Sequence, residues 1–201
     1  MSRKLTYFEI PGFGETIRYL LHYGGLKFED FRYQRKDWPI KEIKDTLPYG
    51  QFPIYEENGQ TINQSMAIAR YVASQVGLLP SDPWEQAKLD AAVLNLYEFY
   101  GKLMTTQRSD LEEEKKKALV EETIAFYYPR FERDLKAGNG HFGGKLSWAD
   151  FVLAGGTVGI NIFFGSKLEK DFPAITALVT EIQNLKGVKE YIATQSYAEN
   201  L

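Results

Sequence analysis

Leu47-Pro48-Tyr49-Gly50-Gln51-Phe52-Pro53-Ile54-Tyr55-Glu56, then Asn58-Gly59, then Asn63-Gln64-Ser65-Met66-Ala67-Ile68, is the run from which the fold is read. Phe52 to Glu56 has strand character but contains a proline. Proline lacks the ladder donor, so Pro53 belongs either at a sheet edge or at a special bend. A cis bond at Phe52-Pro53 would turn the Phe52 backbone outward, free to pair with an extended peptide; spacing alone leaves both readings open. Asn58-Gly59 is the signal of a two-residue hairpin, and Gln60 to Asn63 supplies the return strand. Ser65 then opens a helix, with Ile68, Val72 and Val76 four residues apart.

Towards the N-terminus the period changes several times. Leu5, Tyr7 and Phe8 lie in a short β-prone run punctuated by Gly12 and Gly14. Glu15 to Tyr23 is helical, with Ile17, Leu20 and Leu21 on one side, and Phe28 to Tyr33 alternates like a strand. Asp37-Trp38-Pro39 reads as a turn opening a short helix, with the proline near its first position. The predicted order is β-α-β-α-β-β-α.

Towards the C-terminus, Leu79-Pro80-Ser81-Asp82-Pro83 is a break, after which the chain is helical almost throughout. Leu89, Val93, Leu96, Tyr100 and Leu103 mark one face of a long helix. Glu112 to Lys117 opens a second, its charge block a solvated face with Glu–Lys pairs at i,i+3. Ser147-Trp148-Ala149-Asp150 has capping-box spacing. It leads into a helix whose Gly155, Gly156 and Gly159 are expected to leave room beside it. Two shorter helices follow, near Pro173 to Leu185 and Val188 to Thr194. The fold class is therefore α+β: a mixed unit over 1–79 and an all-helical unit over 84–201, the first too small to stand without packing on the second.

Composition narrows the chemistry. The 201 residues include no cysteine and only two histidines, and the formal net charge is −3. Protein-thiol redox chemistry, Cys-rich zinc sites and multi-His metal sites fall away. The acidic balance speaks against nucleic acid as partner, and no apolar run is long enough for a membrane span. The N-terminus leads directly into a strand and not into a signal segment, so a reducing, cytoplasmic location is the expectation.

Three features can carry chemistry. Tyr7, near the end of the first strand, can donate a hydrogen bond to an anion or serve only in packing. Gln64-Ser65 at a helix start offers free N–H groups to a carboxylate or phosphate, or Ser65 is simply the N-cap. Gly12-Phe13-Gly14 follows a strand and precedes a helix like a dinucleotide loop, but Ile17 occupies the place of the third glycine.

Taken together, Lys4-Leu5-Thr6-Tyr7-Phe8, Gly14-Glu15, Arg18, Trp38-Pro39, Leu47 to Ile54, Gln64 to Tyr71 and Leu146 to Phe151 resemble a sigma-class glutathione transferase over the whole chain. That class includes insect and helminth enzymes, haematopoietic prostaglandin D synthases and lens crystallins. The resemblance implies a thioredoxin-like N-terminal domain, an all-helical C-terminal domain, a homodimer, cis-Pro53 and glutathione as co-substrate, with no metal. It implies that Tyr7 hydrogen-bonds the glutathione sulfur. It places Phe52 and Pro53 at the cysteinyl part, Gln64 and Ser65 at the γ-glutamyl carboxylate, Trp38 and Lys44 at the glycine carboxylate, Gln51 as a further polar contact, and Glu98 across the dimer at the γ-glutamyl amine. An apolar pocket for small hydrophobic electrophiles, such as lipid-peroxidation aldehydes, is expected from Phe13, Tyr100, Met104, Phe163 and Leu201.

The sequence departs from the prostaglandin synthase branch in three places. Phe13 stands where that branch has an arginine, no tryptophan occurs around Leu103-Met104-Thr105, and Leu94, Tyr97 and Glu98 replace its metal-binding aspartates. The implied function is conjugation of glutathione to electrophiles. The alternatives are a crystallin-like or ligand-binding relative without turnover, and a prostaglandin D isomerase.

Overall fold

The computed structural model describes residues 2–165 and 167–196. Strands β1 (Arg3–Phe8), β2 (Glu29–Tyr33), β3 (Ile54–Glu57) and β4 (Gln60–Asn63) form one sheet in the order β2-β1-β3-β4. β1 runs parallel to β2 and antiparallel to β3, so Leu5 is opposite Asp30 on one side and Tyr55 on the other. A parallel pair needs a crossover. α1 (Gly14–Tyr23) provides it and buries Ile17, Leu20 and Leu21 completely, the face read from the sequence. At the β3–β4 hairpin Asn58 and Gly59 both have positive φ, 52° and 80°, as a tight turn between twisted strands requires. α3 (Ser65–Gln75) returns to pack beside α1 and buries Ile68, Ala69 and Val72.

Two local expectations are corrected. The residues after β2 form a single 3-10 turn, Arg35–Asp37, and α2 (Lys41–Lys44) begins only after a cis Trp38–Pro39 bond, so Pro39 is not a first-turn helical proline. β3 starts at Ile54, two residues later than read, because Pro53 follows a cis bond and the paired register begins beyond it.

α4 (Pro83–Arg108) starts at Asp82, whose carboxylate accepts the Glu85 N–H at 2.8 Å, with Pro83 in the first turn. It runs beside α5 (Glu113–Ala137), where Lys116 pairs with Glu113 at 3.0 Å in the predicted i,i+3 manner. α6 (Trp148–Phe164) is the central helix. It touches α1, α4 and α7 (Pro173–Asn184), and Trp148, Phe151, Leu153 and Ala154 are fully buried. α8 (Val188–Ile192) closes the chain against α1 and α7.

Two carboxylates organise the helix ends. Asp150 accepts the Ser147 N–H at 2.7 Å, the Ser147 hydroxyl at 2.9 Å and the Phe142 N–H at 2.9 Å, so the capping box also fixes the preceding loop. Glu132, on α5 and buried, accepts the first free N–H groups of α7, from Ala174 and Ile175, all at 3.0 Å. Helix N-termini favour a negative partner of this kind.

The glycines of α6 serve close packing, and Gly156 and Gly159 also border a pocket. A Cβ on Gly155 would stand 2.8 Å from Thr16 Oγ1 and 2.9 Å from Thr16 N, so this glycine is what lets α6 lie against α1. A Cβ on Gly156 would meet the Tyr100 ring at 2.2 Å, and one on Gly159 would meet the Gly12 backbone at 3.4 Å.

Candidate functional site

Tyr7 projects from the C-terminal half of β1 and is 6 % exposed. Its ring needs the two glycines beside it. A Cβ on Gly14 would come within 2.4 Å of Tyr7 Cδ1, and one on Gly12 within 2.7 Å of the hydroxyl. Gly12-Phe13-Gly14 is therefore a cradle for a ring, not a phosphate loop. Between the glycines, the Phe13 N–H donates to Tyr7 Oη at 3.2 Å, so one lone pair of the phenol is occupied and its own proton is free to donate.

The loop carrying Phe13 is held from beneath by Arg18. This guanidinium is fully buried; it donates to the Ile10 carbonyl at 2.8 Å and the Phe8 carbonyl at 3.0 Å, and it pairs with Asp30 at 3.1 Å. Burial drives the Tyr7 pKa above that of an ordinary phenol, against the Phe13 N–H and the charges of Arg18, Arg35 and Arg108, which pull it down. The phenol is thus a neutral donor in a positive potential.

Two clefts meet at this residue. A polar cleft of about 380 Å³ is lined by Tyr7, Phe8, Phe13, Trp38, Gly50, Gln51, Phe52, Pro53, Asn63, Gln64, Ser65, Tyr97 and Arg108. In its wall Phe8 packs in T-shaped contacts with Trp38 and Phe52, which are tilted on each other, all at 5.0–5.4 Å, and Tyr33 stacks on Phe52 at 5.3 Å, which fixes Phe52 ahead of the cis bond to Pro53. The paired residues of β3 begin at Ile54, so the Phe52 backbone stands clear of the ladder. At the far end, the N-cap of α3 is Gln64, not Ser65. Gln64 has φ 71° and ψ 112°, outside the usual regions for a residue with a Cβ. Ser65 is the first helical residue, and its Oγ accepts from the Tyr97 hydroxyl at 2.9 Å.

An apolar pocket of about 100 Å³ opens on the other side of Tyr7, lined by Ile10, Pro11, Gly12, Phe13, Thr16, Tyr97, Tyr100, Met104, Val152, Gly156, Gly159, Ile160 and Phe163, with Arg35 and Arg108 added. Tyr7, Phe13, Tyr97 and Arg108 belong to both clefts. The Phe13 and Tyr97 rings stack with centroids 5.1 Å apart and planes 7° from parallel. Tyr100 donates to the Leu153 carbonyl at 3.1 Å, which removes its hydroxyl from the pocket surface.

Most residues expected at the site converge. Tyr7, Trp38, Gln51, Phe52, Pro53, Gln64 and Ser65 line the polar cleft; Phe13, Tyr100, Met104 and Phe163 line the apolar pocket. Lys44 is not in the lining but adjoins it through Gly50, whose added Cβ would stand 3.2 Å from the lysine stem. Glu98 is elsewhere on its own chain: it pairs with Lys102 at 3.0 Å in a groove between α4 and α5. Leu201 lies outside the described residues. Among those residues no group of three or more acidic or histidine side chains is placed to hold a metal ion, and no helix is long and apolar enough to cross a membrane.

The sequence reading did not assign Arg18, Arg35, Tyr97 or Arg108 to the site. For α4 a signal existed: Tyr97, Tyr100, Met104 and Arg108 recur at spacings of three and four beside the core stripe. Arg18 stands in a helix that otherwise reads as amphipathic, and Arg35 has no local pattern at all.

Comparison with known proteins matches residues 3–74 to the glutathione S-transferase N-terminal domain and residues 95–195 to the glutathione S-transferase C-terminal domain. A glutathione S-transferase of Anopheles gambiae is 36 % identical over 200 residues, covering 98 % of each chain. The human hematopoietic prostaglandin D synthase is 32 % identical over 193 residues, 94 % of each. Among solved structures, prostaglandin synthase D of Nilaparvata lugens superposes with a TM-score of 0.89 at 34 % identity, over 98 % of this chain and 99 % of that one. With a thioredoxin-like sheet, a helical second half and full-length relatives of both kinds, the chain belongs to the glutathione S-transferase family.

Proposed function

We propose that this protein is a sigma-class glutathione transferase that joins reduced glutathione to small hydrophobic electrophiles, with Tyr7 holding the sulfur as thiolate. The observation that carries the reading is the position of the Tyr7 hydroxyl in the wall common to a polar and an apolar cleft. A tripeptide in the first and an acceptor in the second would meet at that oxygen.

The division of labour follows the elements. Residues 1–79 bind glutathione and residues 84–201 supply the acceptor pocket. The Phe52 backbone, clear of the ladder, pairs with the cysteinyl unit. The α3 N-terminus at Gln64 and Ser65 receives the γ-glutamyl carboxylate, where free N–H groups favour an anion. Trp38, Gln51 and Lys44 serve the glycine end. Glu98, on the outer face of α4, serves the γ-glutamyl amine of the neighbouring subunit in a homodimer, and the protein works in the cytoplasm without a metal.

A free thiol has a pKa near 8.5, so little thiolate exists at neutral pH. The Tyr7 proton, directed away from the Phe13 N–H, is the donor for a sulfur anion, and each unit by which it lowers the thiol pKa is about 1.4 kcal/mol of preference for the anion. Proximity in a largely apolar pocket supplies the rest. The alternative of a non-catalytic relative is tested with the same assay. Purified protein should conjugate glutathione to a chloronitrobenzene acceptor, and Tyr7→Phe should lower kcat/KM by roughly 10–1000-fold, the scale of losing one oriented donor, while glutathione affinity stays close to wild type. Wild-type turnover in Tyr7→Phe removes the role of the phenol; no turnover in the parent protein removes the transferase reading. Prostaglandin D isomerisation, the activity named for two of the relatives above, is assayed directly with the endoperoxide; Phe13 and the lack of a tryptophan around Leu103-Met104-Thr105 stand against it.

A further inference from the structure

The charges around the acceptor pocket have one sign. Among the described residues, only Arg35 and Arg108 of its lining are charged, and no carboxylate lines either cleft. They come to the pocket from different elements, Arg35 from the 3-10 turn after β2 and Arg108 from the last turn of α4. Both residues are exposed, and among the described residues neither makes an ion pair or side-chain hydrogen bond. The contrast with the other arginines near Tyr7 is clear: Arg18 is bound to Asp30 and Glu15, and Arg32 to Asp30. Arg35 lines the apolar pocket and not the polar cleft, so its charge faces the acceptor side. Both charges favour the ionised Tyr7 phenol, against the larger opposing effect of burial.

We propose that Arg35 and Arg108 form an anion clamp at the mouth of the apolar pocket, which selects hydrophobic electrophiles carrying a carboxylate. Two guanidiniums beside an apolar slot suit a ligand with an apolar body and one acidic end, since guanidinium and carboxylate match in shape as well as charge. This rests on the transferase reading above and narrows its substrate class. For an α,β-unsaturated aldehyde with a distal carboxylate, the step is an addition. The glutathione thiolate forms a bond to the β-carbon, the C=C pair moves onto the carbonyl as an enolate, and the α-carbon takes a proton from solvent. No group leaves and no oxidant is needed. The carboxylate takes no part in the bond changes.

The test compares an ω-carboxy alkenal with its methyl ester, two acceptors with the same electrophile and tail. The wild-type protein should prefer the acid by about tenfold in kcat/KM, a preference that shrinks as salt is raised. Arg35→Gln and Arg108→Gln should each lower that acid-to-ester ratio several-fold, and the double variant should bring it near one. Equal rates for acid and ester in the wild type overturn the proposal, as does a ratio that survives both substitutions. An Arg108→Gln effect confined to the KM of glutathione also overturns it, because the charge then serves the tripeptide. Calorimetry with the saturated, unreactive acid and its ester separates this result from failure of the transferase reading. Tighter binding of the acid, lost in the double variant, upholds the clamp even if no conjugation is seen; equal binding overturns it, whatever the turnover.

Discussion

The rings of Phe13 and Tyr97 lie face to face, 5.1 Å apart and within 7° of parallel. Both occupy positions at which the sequence departs from the prostaglandin synthase branch, an arginine there and an aspartate there, so the two departures form one aromatic contact. Each ring is also tied to the polar cleft. The Tyr97 hydroxyl donates to Ser65, and the backbone of Phe13 donates to Tyr7. Because Tyr97 donates to Ser65 Oγ, the serine proton does not serve this contact and is left to donate elsewhere. Tyr97→Phe keeps the stack and removes that hydrogen bond; it should raise the KM for glutathione about 3–10-fold, the scale of one hydrogen bond, with kcat little changed. Tyr97→Ala should lower kcat as well. Steady-state kinetics with glutathione as the varied substrate checks both.

Tyr7 is held protonated by burial, so its own titration lies above the working range. The pH profile of kcat/KM between about pH 6 and 9 should then report the bound thiol. In the wild-type protein the inflection should fall below the free-thiol value of about 8.5, and in Tyr7→Phe it should move up towards it. Ultraviolet absorbance of the bound thiolate across the same range gives the second measurement. An inflection at one pH in both proteins would show that the phenol does not ionise the sulfur.

Gly14→Ala places a methyl 2.4 Å from Tyr7 Cδ1 and Gly155→Ala places one 2.8 Å from Thr16 Oγ1. Overpacking of this kind costs about 1–3 kcal/mol, but the two differ in what they disturb. Gly14→Ala should lower kcat by more than its loss of stability explains, because the displaced ring carries the hydroxyl. Gly155→Ala should lower the urea midpoint by parting α6 from α1. Urea unfolding and turnover measured on the same preparations distinguish them.

Burial raises the Glu132 pKa, but the N–H groups of Ala174 and Ile175 and the Lys136 ammonium outweigh it, and the net shift is downward. A carboxyl depressed on folding stabilises the protein fully above its unfolded pKa, near 4.3, and loses that contribution as pH falls through the folded value. Glu132→Gln should cost about 1–3 kcal/mol at pH 7. The gap between the two proteins should close as pH falls below about 4. Urea midpoints from pH 7 to pH 3 check it; a constant gap would mean that the charge contributes nothing.

How far the sequence carried this reading can be judged residue by residue. Asn58-Gly59 declared its turn because only a few residues tolerate the left-handed backbone, and Ser147 and Asp150 declared a cap because the bond is local. The helices of the second half followed from their apolar stripes. What stayed hidden was set by distant neighbours. Gly155 was read as leaving room because nothing near it in the chain says that Thr16 lies against it. Ile17 already spoke against a phosphate loop at Gly12 and Gly14, but nothing local says that the Tyr7 ring packs against both glycines. Arg18 and Arg35 are ordinary arginines in one dimension; only folding buries the first and turns the second to the pocket mouth. At Gln64 the cap falls on a residue with a Cβ and positive φ, which local rules would have assigned to Ser65.

One contact described above separates two kinds of change. Phe13 offers its ring to the acceptor pocket but its main-chain nitrogen to Tyr7. Every residue except proline has that nitrogen with a hydrogen on it. A lineage can therefore swap the side chain at this position and reshape what the apolar pocket admits, while the Tyr7 hydroxyl keeps the same partner.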